Sequence, residues 1–289
     1  MKVASNKLSD IYKYYLTNLL RVYSDNEGAI LLNRLIAFFA EIDSYKIPQM
    51  LDDVRVSESQ LLKIHFGVKD LLKHKPLEYI LEEVEFYEMK FKVNQNVLIP
   101  RPETEELVDL IWKNSSSSPA KPKLFDIGSG SGCIAICLSK LLNADTYAVD
   151  CSKEAIKIAK QNATTNCAEV KFIETDFLTV ANWKYLPKKI DIIVSNPPYV
   201  RKSEKLLMKP NVLDYEPEKA IFVDDENPLI FYKAIADFAF KNLSEKGKIY
   251  LEINEFLAVE TAEVFKSLYP KVKLINDLNG KKRFLLVEK

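Results

Sequence analysis

The segment FDIGSGSGCIA, residues 125–135, decides the fold, because it places three glycines between an apolar strand and a helical run. Gly128, Gly130 and Gly132 would let the backbone approach a bound molecule closely, and the free N–H groups at the start of the helix would face that molecule. The segment therefore predicts a ligand at the carboxyl end of the strand. A tight strand–helix turn without a ligand is the alternative at this point.

Strands and helices continue to alternate after this segment. TYAVD, EVKFIETD, KIDIIVSN and GKIYLEIN are predicted strands, and SKEAIKIAKQNA and PLIFYKAIADFAFKNL are predicted helices, the first with Ser152 as its N-cap. Such alternation specifies an α/β fold with a mainly parallel, doubly wound sheet. The final KKRFLLVEK predicts an antiparallel strand at the edge of that sheet.

The N-terminal part of the chain has a different pattern. Residues 1–75 carry apolar residues at helical spacing, as in LLNRLIAFFAEI, and predict a helical domain. Within residues 76–100 the segment EFYEMKFKVNQNVLI alternates and contains turn residues, which predicts a linker with a β-hairpin. Residues 101–289 form the α/β domain, beginning with a helix at Pro102. Residues 114–123, NSSSSPAKPK, are predicted to be an exposed connection within it.

Composition limits the function. Lys plus Arg and Asp plus Glu number 41 each, so the formal net charge is zero, which argues against a partner made only of phosphates. No apolar run approaches the roughly 20 residues of a membrane helix, and MKVASNKLSDIYKYY lacks the apolar core of a signal peptide. We therefore expect a cytoplasmic protein that does not bind membranes. Cys133 and Cys137 have no second Cys or His pair nearby, so no metal is expected.

Acidic residues that follow the strands narrow the choice of ligand. The second strand ends at Asp150, 22 positions after Gly128, where a carboxylate can accept from both hydroxyls of a ribose. The third strand ends at Asp176 and Phe177, an acid that can accept from an adenine amino group and a ring that can cover the base. A solvated acid beside a core phenylalanine is the alternative there. A nicotinamide enzyme is a rival, although its usual GxGxxG pattern has the third glycine one residue later.

The GxGxG loop, with an acid before it, resembles motif I of the class I S-adenosylmethionine methyltransferases. That resemblance implies a Rossmann-like, seven-stranded sheet and S-adenosyl-L-methionine as cofactor, with S-adenosyl-L-homocysteine as product. The predicted cofactor contacts are Asp126, Gly128, Ser129, Gly130, Ser131, Gly132, Asp150, Asp176, Phe177 and Asn196.

A second unusual segment, DIIVSNPPYV (residues 191–200), ends a predicted strand in an asparagine and two prolines. The fourth strand of a doubly wound sheet lies beside the first, which places Asn196 next to the glycine loop. Oδ1 of Asn196 and the carbonyl of Pro197 would each accept one N–H of a planar NH2 and aim its nitrogen at the methyl group. Asn196, Pro197 and Tyr199 are the predicted catalytic residues. Pro198 joins them in binding the substrate, and the Tyr199 ring supplies a flat surface.

The NH2 group that this corner serves is indicated by the rest of the chain. PLEYI (76–80), VLIPRPETEELVD (97–109), IVSNPPYV (193–200), YEPEKAI (215–221) and DLNGKKR (277–283), in this order, resemble the HemK/PrmC family of protein-(glutamine-N5) methyltransferases. The resemblance implies methylation of the glutamine in the GGQ loop of class-1 peptide chain release factors, which the helical domain would dock. No direct contact with nucleic acid is expected.

Two other functions remain open, and three positions depart from the family. An adenine-N6 or guanine-N2 nucleic-acid methyltransferase shares the NPPY corner, but would need a basic groove or a recognition domain. A non-catalytic binding module would have no need of the glycine loop and the corner. Glu82, Glu88 and Asn254 stand where the family commonly has glycine. They lie in predicted turns and bear on the shape of loops, not on the chemistry.

Overall fold

The computed structural model describes residues 5–115 and 121–289, and these residues form two compact units. The first unit runs to residue 82 and also includes residues 209–215, whereas the second comprises residues 83–208 and 216–289. The predicted linker is therefore divided between the units. Of the predicted connection at residues 114–123, residues 116–120 lie outside the described part of the chain.

The first unit is helical, as the spacing of its apolar residues predicts. Its helices are α1 (Leu8–Leu19), α2 (Asp25–Ala40), α3 (Ile47–Met50), α4 (Glu58–Leu71) and α5 (Leu77–Leu81). Ile11, Leu35 and Ile64 are fully buried and bring α1, α2 and α4 into one apolar core. The start of α4 is fixed by a capping box, in which Ser57 and Gln60 each accept the other's backbone N–H.

The predicted hairpin is present at the start of the second unit. Strands β1 (Glu83–Phe86) and β2 (Met89–Lys92) pair antiparallel through a two-residue turn. Tyr87 and Glu88 in that turn have φ of 49° and 59°, the left-handed backbone that two-residue hairpins favour. Glu82 also has a positive φ, 56°. Two of the three departures from the family thus lie at positions where the backbone favours glycine.

The second unit contains the predicted sheet. Its further strands are β3 (Lys123–Ile127), β4 (Asp145–Asp150), β5 (Val170–Glu174), β6 (Ile190–Ser195), β7 (Val200–Arg201), β8 (Phe222–Val223), β9 (Leu243–Glu252), β10 (Lys271–Asn276) and β11 (Lys282–Glu288). Strands β7 and β8 form a short separate pair, and the other seven make one sheet in the order β10-β11-β9-β6-β3-β4-β5. All neighbours pair in parallel except those of β11. The mainly parallel seven-stranded sheet is therefore confirmed.

Helices cover both faces of this sheet. They are α6 (Pro102–Ser115), α7 (Cys133–Leu142), α8 (Lys153–Thr165), α10 (Ile230–Asn242) and α11 (Ala258–Lys266), while α9 (Pro210–Tyr215) belongs to the first unit. Successive strand residues point to opposite faces, so Ile192 packs with α6 and α7 and Ile193 packs with α10 and α11. Ser152 caps α8 as predicted, accepting from the N–H of Ala155. None of the helices described is long and apolar enough to span a bilayer.

The C-terminal strand is antiparallel, as expected, but the prediction that it lies at the edge is wrong. After β9, the chain crosses over through α11 and forms β10 two strand positions away from β9, which leaves room for one strand between them. It then turns at Asp277–Gly280 and returns as β11, which pairs with both β9 and β10. The edge strand is β10, whose Lys271 and Lys273 are exposed, as is common at a sheet edge.

Candidate active site

The glycine loop joins β3 to α7 and borders open space. Gly128, Gly130 and Gly132 have φ of 81°, 52° and 83°, a backbone that side chains disfavour. A Cβ on Gly128 or Gly130 would meet no atom within 4 Å, whereas one on Gly132 would lie 3.1 Å from Cβ of Ala159. The first two glycines therefore leave room for a ligand, and the third allows α8 to pack closely.

Asp150, at the end of β4, holds this loop. Its Oδ2 accepts from the N–H of Gly130 at 2.8 Å, and its Oδ1 accepts from the N–H of Ser152, also at 2.8 Å. Burial raises the pKa of Asp150, and these N–H groups oppose the rise. Each carboxylate oxygen keeps a further lone pair, so the group is available to a hydroxyl donor beside the loop.

The carboxylate of Asp126 and the hydroxyl of Ser129 are buried side-chain groups without a hydrogen-bond partner among the described residues. Asp126 is 0% exposed, and no described residue makes a hydrogen bond to either of its carboxylate oxygens or to the hydroxyl of Ser129. Burial raises the pKa of Asp126 to about 7; the nearby N–H of Ala135 lowers it somewhat, and the charge of Asp150 raises it. An ionisable group buried in this way is costly unless a ligand satisfies it. The buried Ser131 contributes its backbone carbonyl, which accepts from Nδ2 of Asn162 at 2.9 Å.

Asp176 and Phe177 lie beyond the end of β5. Asp176 is exposed and accepts from the N–H of Leu178 at 2.9 Å and from the hydroxyl of Thr179 at 3.0 Å. Phe177 is 5% exposed and packs 5.8 Å from Trp183 and 5.4 Å from Phe238, between ring centroids. Little of its ring surface is open to a ligand. The adenine contacts of both residues stay predictions.

The NPPY corner follows β6, which pairs with β3 as predicted. The hydroxyl of Ser195 donates to the carbonyl of Ile127 at 2.5 Å, so the corner and the glycine loop leave adjacent strand ends. In the described part of the chain, no group donates a hydrogen bond to Oδ1 of Asn196 or to the carbonyl of Pro197. Both predicted acceptors are thus free.

A buried hydrogen-bond network holds the other side of Asn196. Its Nδ2 donates to Oγ1 of Thr104 at 3.0 Å, and the Thr104 hydroxyl donates to Oε2 of Glu252 at 2.8 Å. The Tyr199 hydroxyl donates to Oε1 of Glu252 at 2.9 Å. Burial raises the pKa of Glu252, while these two hydroxyls and the charge of Arg283 oppose the rise. Sequence reasoning missed Thr104 and Glu252; an acid at the carboxyl end of an apolar strand was the one available signal.

Tyr199 lies partly buried against the core, with its hydroxyl and its carbonyl both engaged. Burial, followed by the charge of Glu252, raises the pKa of Tyr199 well above its ordinary value, so the hydroxyl keeps its proton. Its carbonyl accepts from Nδ2 of Asn254 at 3.1 Å, and Oδ1 of Asn254 accepts from the N–H of Phe256. The third departure from the family therefore supplies an amide that ties down the corner.

An ion pair fixes the segment that carries Thr104. Glu216, 5% exposed, accepts from Arg101 at 2.5 Å and from the N–H of Ile99 at 3.2 Å. Arg101 immediately precedes α6, and Thr104 lies in the first turn of that helix. The two sequence segments IPRPETE and YEPEKAI are thereby joined at the start of α6.

The two cysteines of α7 are buried thiols, as expected for residues that pack in a core. Cys133 and Cys137 are free and buried, and burial raises the pKa of Cys133 to about 12. Across residues 5–115 and 121–289, no group of three or more His, Cys, Asp and Glu side chains is placed to hold a metal ion.

Comparison with known proteins links this geometry to a chemistry. Residues 104–211 match the family model described as Methyltransferase small domain. The release factor glutamine methyltransferase of Flavobacterium psychrophilum is 44% identical over 239 residues, which cover 81% of this chain and 83% of that protein. The release factor glutamine methyltransferase of Bacteroides thetaiotaomicron is 39% identical over 280 residues, covering 96% and 99%. A methyltransferase structure from Pyrococcus furiosus shares the fold, with a TM-score of 0.51 at 17% identity over 81% of this chain and 99% of that one.

Proposed function

The chain belongs to the release factor glutamine methyltransferase family, and we propose that it methylates a class-1 peptide chain release factor on the side-chain nitrogen (N5) of the glutamine in the GGQ motif. The proposed methyl donor is S-adenosyl-L-methionine. The single observation that carries the proposal is the orientation of Asn196. Its NH2 is engaged by Thr104, and its Oδ1 is left as a free acceptor beside the glycine loop.

The residues around the loop fit this cofactor. Gly128 and Gly130 leave open space, Asp150 offers a carboxylate to a ribose, and the unpartnered Asp126 offers a negative charge to a cationic amino group. The unpartnered hydroxyl of Ser129 adds a further polar atom. When bound, S-adenosylmethionine supplies an electrophilic methyl group. These residues would hold it beside the NPPY corner.

The corner has to solve the problem of a weak nucleophile. The lone pair of an amide nitrogen is delocalised, which makes the nitrogen a weak nucleophile. None of the hydrogen bonds described for Asn196 involves a basic side chain that could deprotonate the substrate amide. Oδ1 of Asn196 and the carbonyl of Pro197 would each accept one N–H of the glutamine side chain. Held at both hydrogens, the nitrogen would be aimed and could rehybridise, which lowers the barrier through orientation and electrostatics. As the nitrogen–carbon bond forms, the sulfur–carbon bond of the methyl donor would break, and one N–H proton would be released to water.

The acceptor pair also determines which groups are rejected. A glutamate side chain presents oxygens to the two acceptors, so the corner is expected to exclude it. An adenine or guanine NH2 would satisfy both acceptors, which keeps a nucleic-acid methyltransferase as the chemical alternative. The zero net charge and the similarity over nearly the whole chain to named release factor methyltransferases favour the protein substrate. The first unit is then the proposed docking surface for the release factor.

Mass spectrometry of a purified class-1 release factor, incubated with this protein and S-adenosylmethionine, tests the proposal. One added methyl group on the GGQ glutamine is expected. The matched control is the same release factor with that glutamine changed to glutamate, which should remain unmodified. Methylation of an adenine- or guanine-containing oligonucleotide in place of the release factor would contradict the proposal.

A further inference from the structure

Thr104 and Glu252 lie behind Asn196, on the side away from its free oxygen, and neither is among the predicted catalytic groups. We propose that these two side chains are positioning residues, which lock the Asn196 amide in the one orientation that presents Oδ1 to the substrate. This inference rests on the proposed function, since it assigns a role within the same site. The orientation of the Asn196 amide can nevertheless be tested without turnover.

The number of hydrogens available for hydrogen bonding at Thr104 fixes the orientation of the Asn196 amide. A carboxylate can only accept hydrogen bonds, and a threonine hydroxyl has a single hydrogen to donate. Because Thr104 gives that hydrogen to Glu252 at 2.8 Å, its oxygen can only accept at the other side. The partner 3.0 Å away must therefore be the NH2 of Asn196 and not its oxygen. Turning the amide over would bring two acceptor oxygens together with no hydrogen between them.

Burial prevents water from relaxing this constraint. Thr104 is 3% exposed and Glu252 is 2% exposed, so a solvent molecule cannot readily replace either hydrogen bond. The backbone at Glu252 is also fixed, because its carbonyl accepts from the Tyr232 hydroxyl at 3.1 Å. Thr104 lies in α6, Asn196 directly follows β6 and Glu252 ends β9, so the orientation of one amide depends on how three elements pack.

Glu252 also links the two halves of the proposed substrate site. One of its oxygens accepts from Thr104, which orients the acceptor of Asn196, and the other accepts from Tyr199, whose ring would support the amide plane. Burial raises the pKa of Glu252, whereas the hydrogen bonds from the Thr104 and Tyr199 hydroxyls and the charge of Arg283 oppose the rise and favour the ionised carboxylate on which this arrangement depends. A single buried carboxylate thus sets both the direction of the acceptor and the position of the flat surface.

Kinetics of Thr104 variants provide the first test. Thr104→Val keeps the shape but removes the hydroxyl, and kcat at saturating cofactor is expected to fall by about 10²-fold. Thr104→Ser restores the hydroxyl and should recover most of that loss. Thr261→Val is the matched control, because Thr261 in α11 is equally buried but donates to the carbonyl of Leu257, the residue before that helix, and its kcat should not change. Wild-type kcat in Thr104→Val would overturn the inference.

A double-mutant cycle tests whether Thr104 acts through Asn196. In an Asn196→Ala background, Thr104→Val should cause no further loss, since the amide that it orients is gone. Losses that multiply would show that Thr104 acts by another route, and would overturn the inference.

Side-chain NMR of the free protein separates this inference from the proposed function. With isotope-labelled asparagine, the NH2 signal of Asn196, assigned by its absence in Asn196→Ala, should be rigid and slow to exchange. It should become mobile in Thr104→Val and rigid again in Thr104→Ser. An equally rigid signal in Thr104→Val would overturn the positioning role. Failure of the wild-type protein to methylate a release factor would instead contradict the proposed function.

Discussion

The side-chain amide of Asn196 donates a hydrogen bond to the hydroxyl of Thr104, which lies 92 residues earlier in the chain, over 3.0 Å. This contact joins the end of β6 to the first turn of α6. Since Thr104 in turn donates to Glu252, the series of bonds has a direction, from amide to hydroxyl to carboxylate. A neutral asparagine is therefore oriented by a negative charge that it does not touch.

Replacing Asn196 tests the free acceptor. Asn196→Ala should bind the cofactor normally but lose about 10²–10³ in kcat, the usual effect of removing one transition-state partner. Asn196→Asp should be almost as poor, because one of its oxygens would meet the Thr104 oxygen, whose hydrogen is committed to Glu252. Its activity should increase toward acid pH, where the new carboxyl can be protonated and donate to Thr104. High activity of Asn196→Asp at neutral pH would contradict the fixed direction of the relay.

The buried Asp126 predicts a pH dependence of stability. Its pKa is about 7 in the folded protein against an ordinary 3.8, so the folded state retains a proton that the unfolded chain releases. Asp126 by itself should therefore lower the free energy of unfolding of the cofactor-free protein by roughly 4 kcal/mol at most as the pH rises from about 4 to about 7. Asp126→Asn should remove most of this slope in urea titrations and be the more stable protein above neutral pH. Equal slopes would show that Asp126 is not the titrating group.

The same carboxyl predicts that cofactor binding depends on pH. Ionised Asp126 attracts a cationic amino group, whereas its protonated form does not. The affinity for S-adenosylmethionine, measured by calorimetry, should therefore rise with pH until about pH 7 and then level off. Asp126→Asn should bind more weakly at neutral pH and lose this rise. A variant that binds as tightly as the wild type would remove Asp126 from the cofactor site.

Asp150 predicts a second loss of affinity. Asp150→Ala should weaken S-adenosylmethionine binding by about 1–3 kcal/mol, since it removes the predicted ribose acceptor and frees the N–H of Gly130 that Asp150 holds. Asp145→Ala is the matched control, because Asp145 begins the same strand and forms an ion pair with Lys171. Calorimetry should show unchanged affinity for this control. An equal effect of both substitutions would argue against a specific role of Asp150.

The hairpin turn predicts a stabilising substitution. Glu88 is exposed with φ of 59°, a conformation that costs a side-chain-bearing residue about 1–2 kcal/mol. Glu88→Gly removes that strain but adds freedom to the unfolded chain, so a gain of up to about 1 kcal/mol in the free energy of unfolding is expected. Glu85→Gly, in β1 of the same hairpin, should instead destabilise by about 0.5–1 kcal/mol. Thermal unfolding of the wild type and of these two variants measures both changes in stability.

Local chemistry made part of this molecule predictable. Gly128 and Gly132 adopt the left-handed backbone that a tight strand–helix loop requires, and Ser152 caps α8, because both properties depend on a few neighbouring residues. The contact between Thr104 and Glu252 spans 148 residues, and no local pattern reports on such a contact. Sequence spacing likewise cannot tell whether the Phe177 ring faces a ligand or the core.

The order of the outer strands β9, β10 and β11 could not be predicted from the sequence for a related reason. The segment KVKLIN, which forms β10, carries two lysines and a weak alternation, since an edge strand has one side in solvent. Without β10 in the predicted sheet, β11 has no outer neighbour, and the sequence therefore predicts it at the edge. Strand order depends on where a crossover lays its strand, which only the packing of α11 decides.

The insertion of β11 between β9 and β10 has a consequence for how the protein is made. A chain emerging from the ribosome presents β9 and β10 before the strand that joins them exists, so β9 has an unsatisfied backbone edge until β11 arrives. Glu252 lies on that edge, opposite Phe284. The relay behind Asn196 should thus form only after synthesis has passed β11, and nascent chains should be inactive until then.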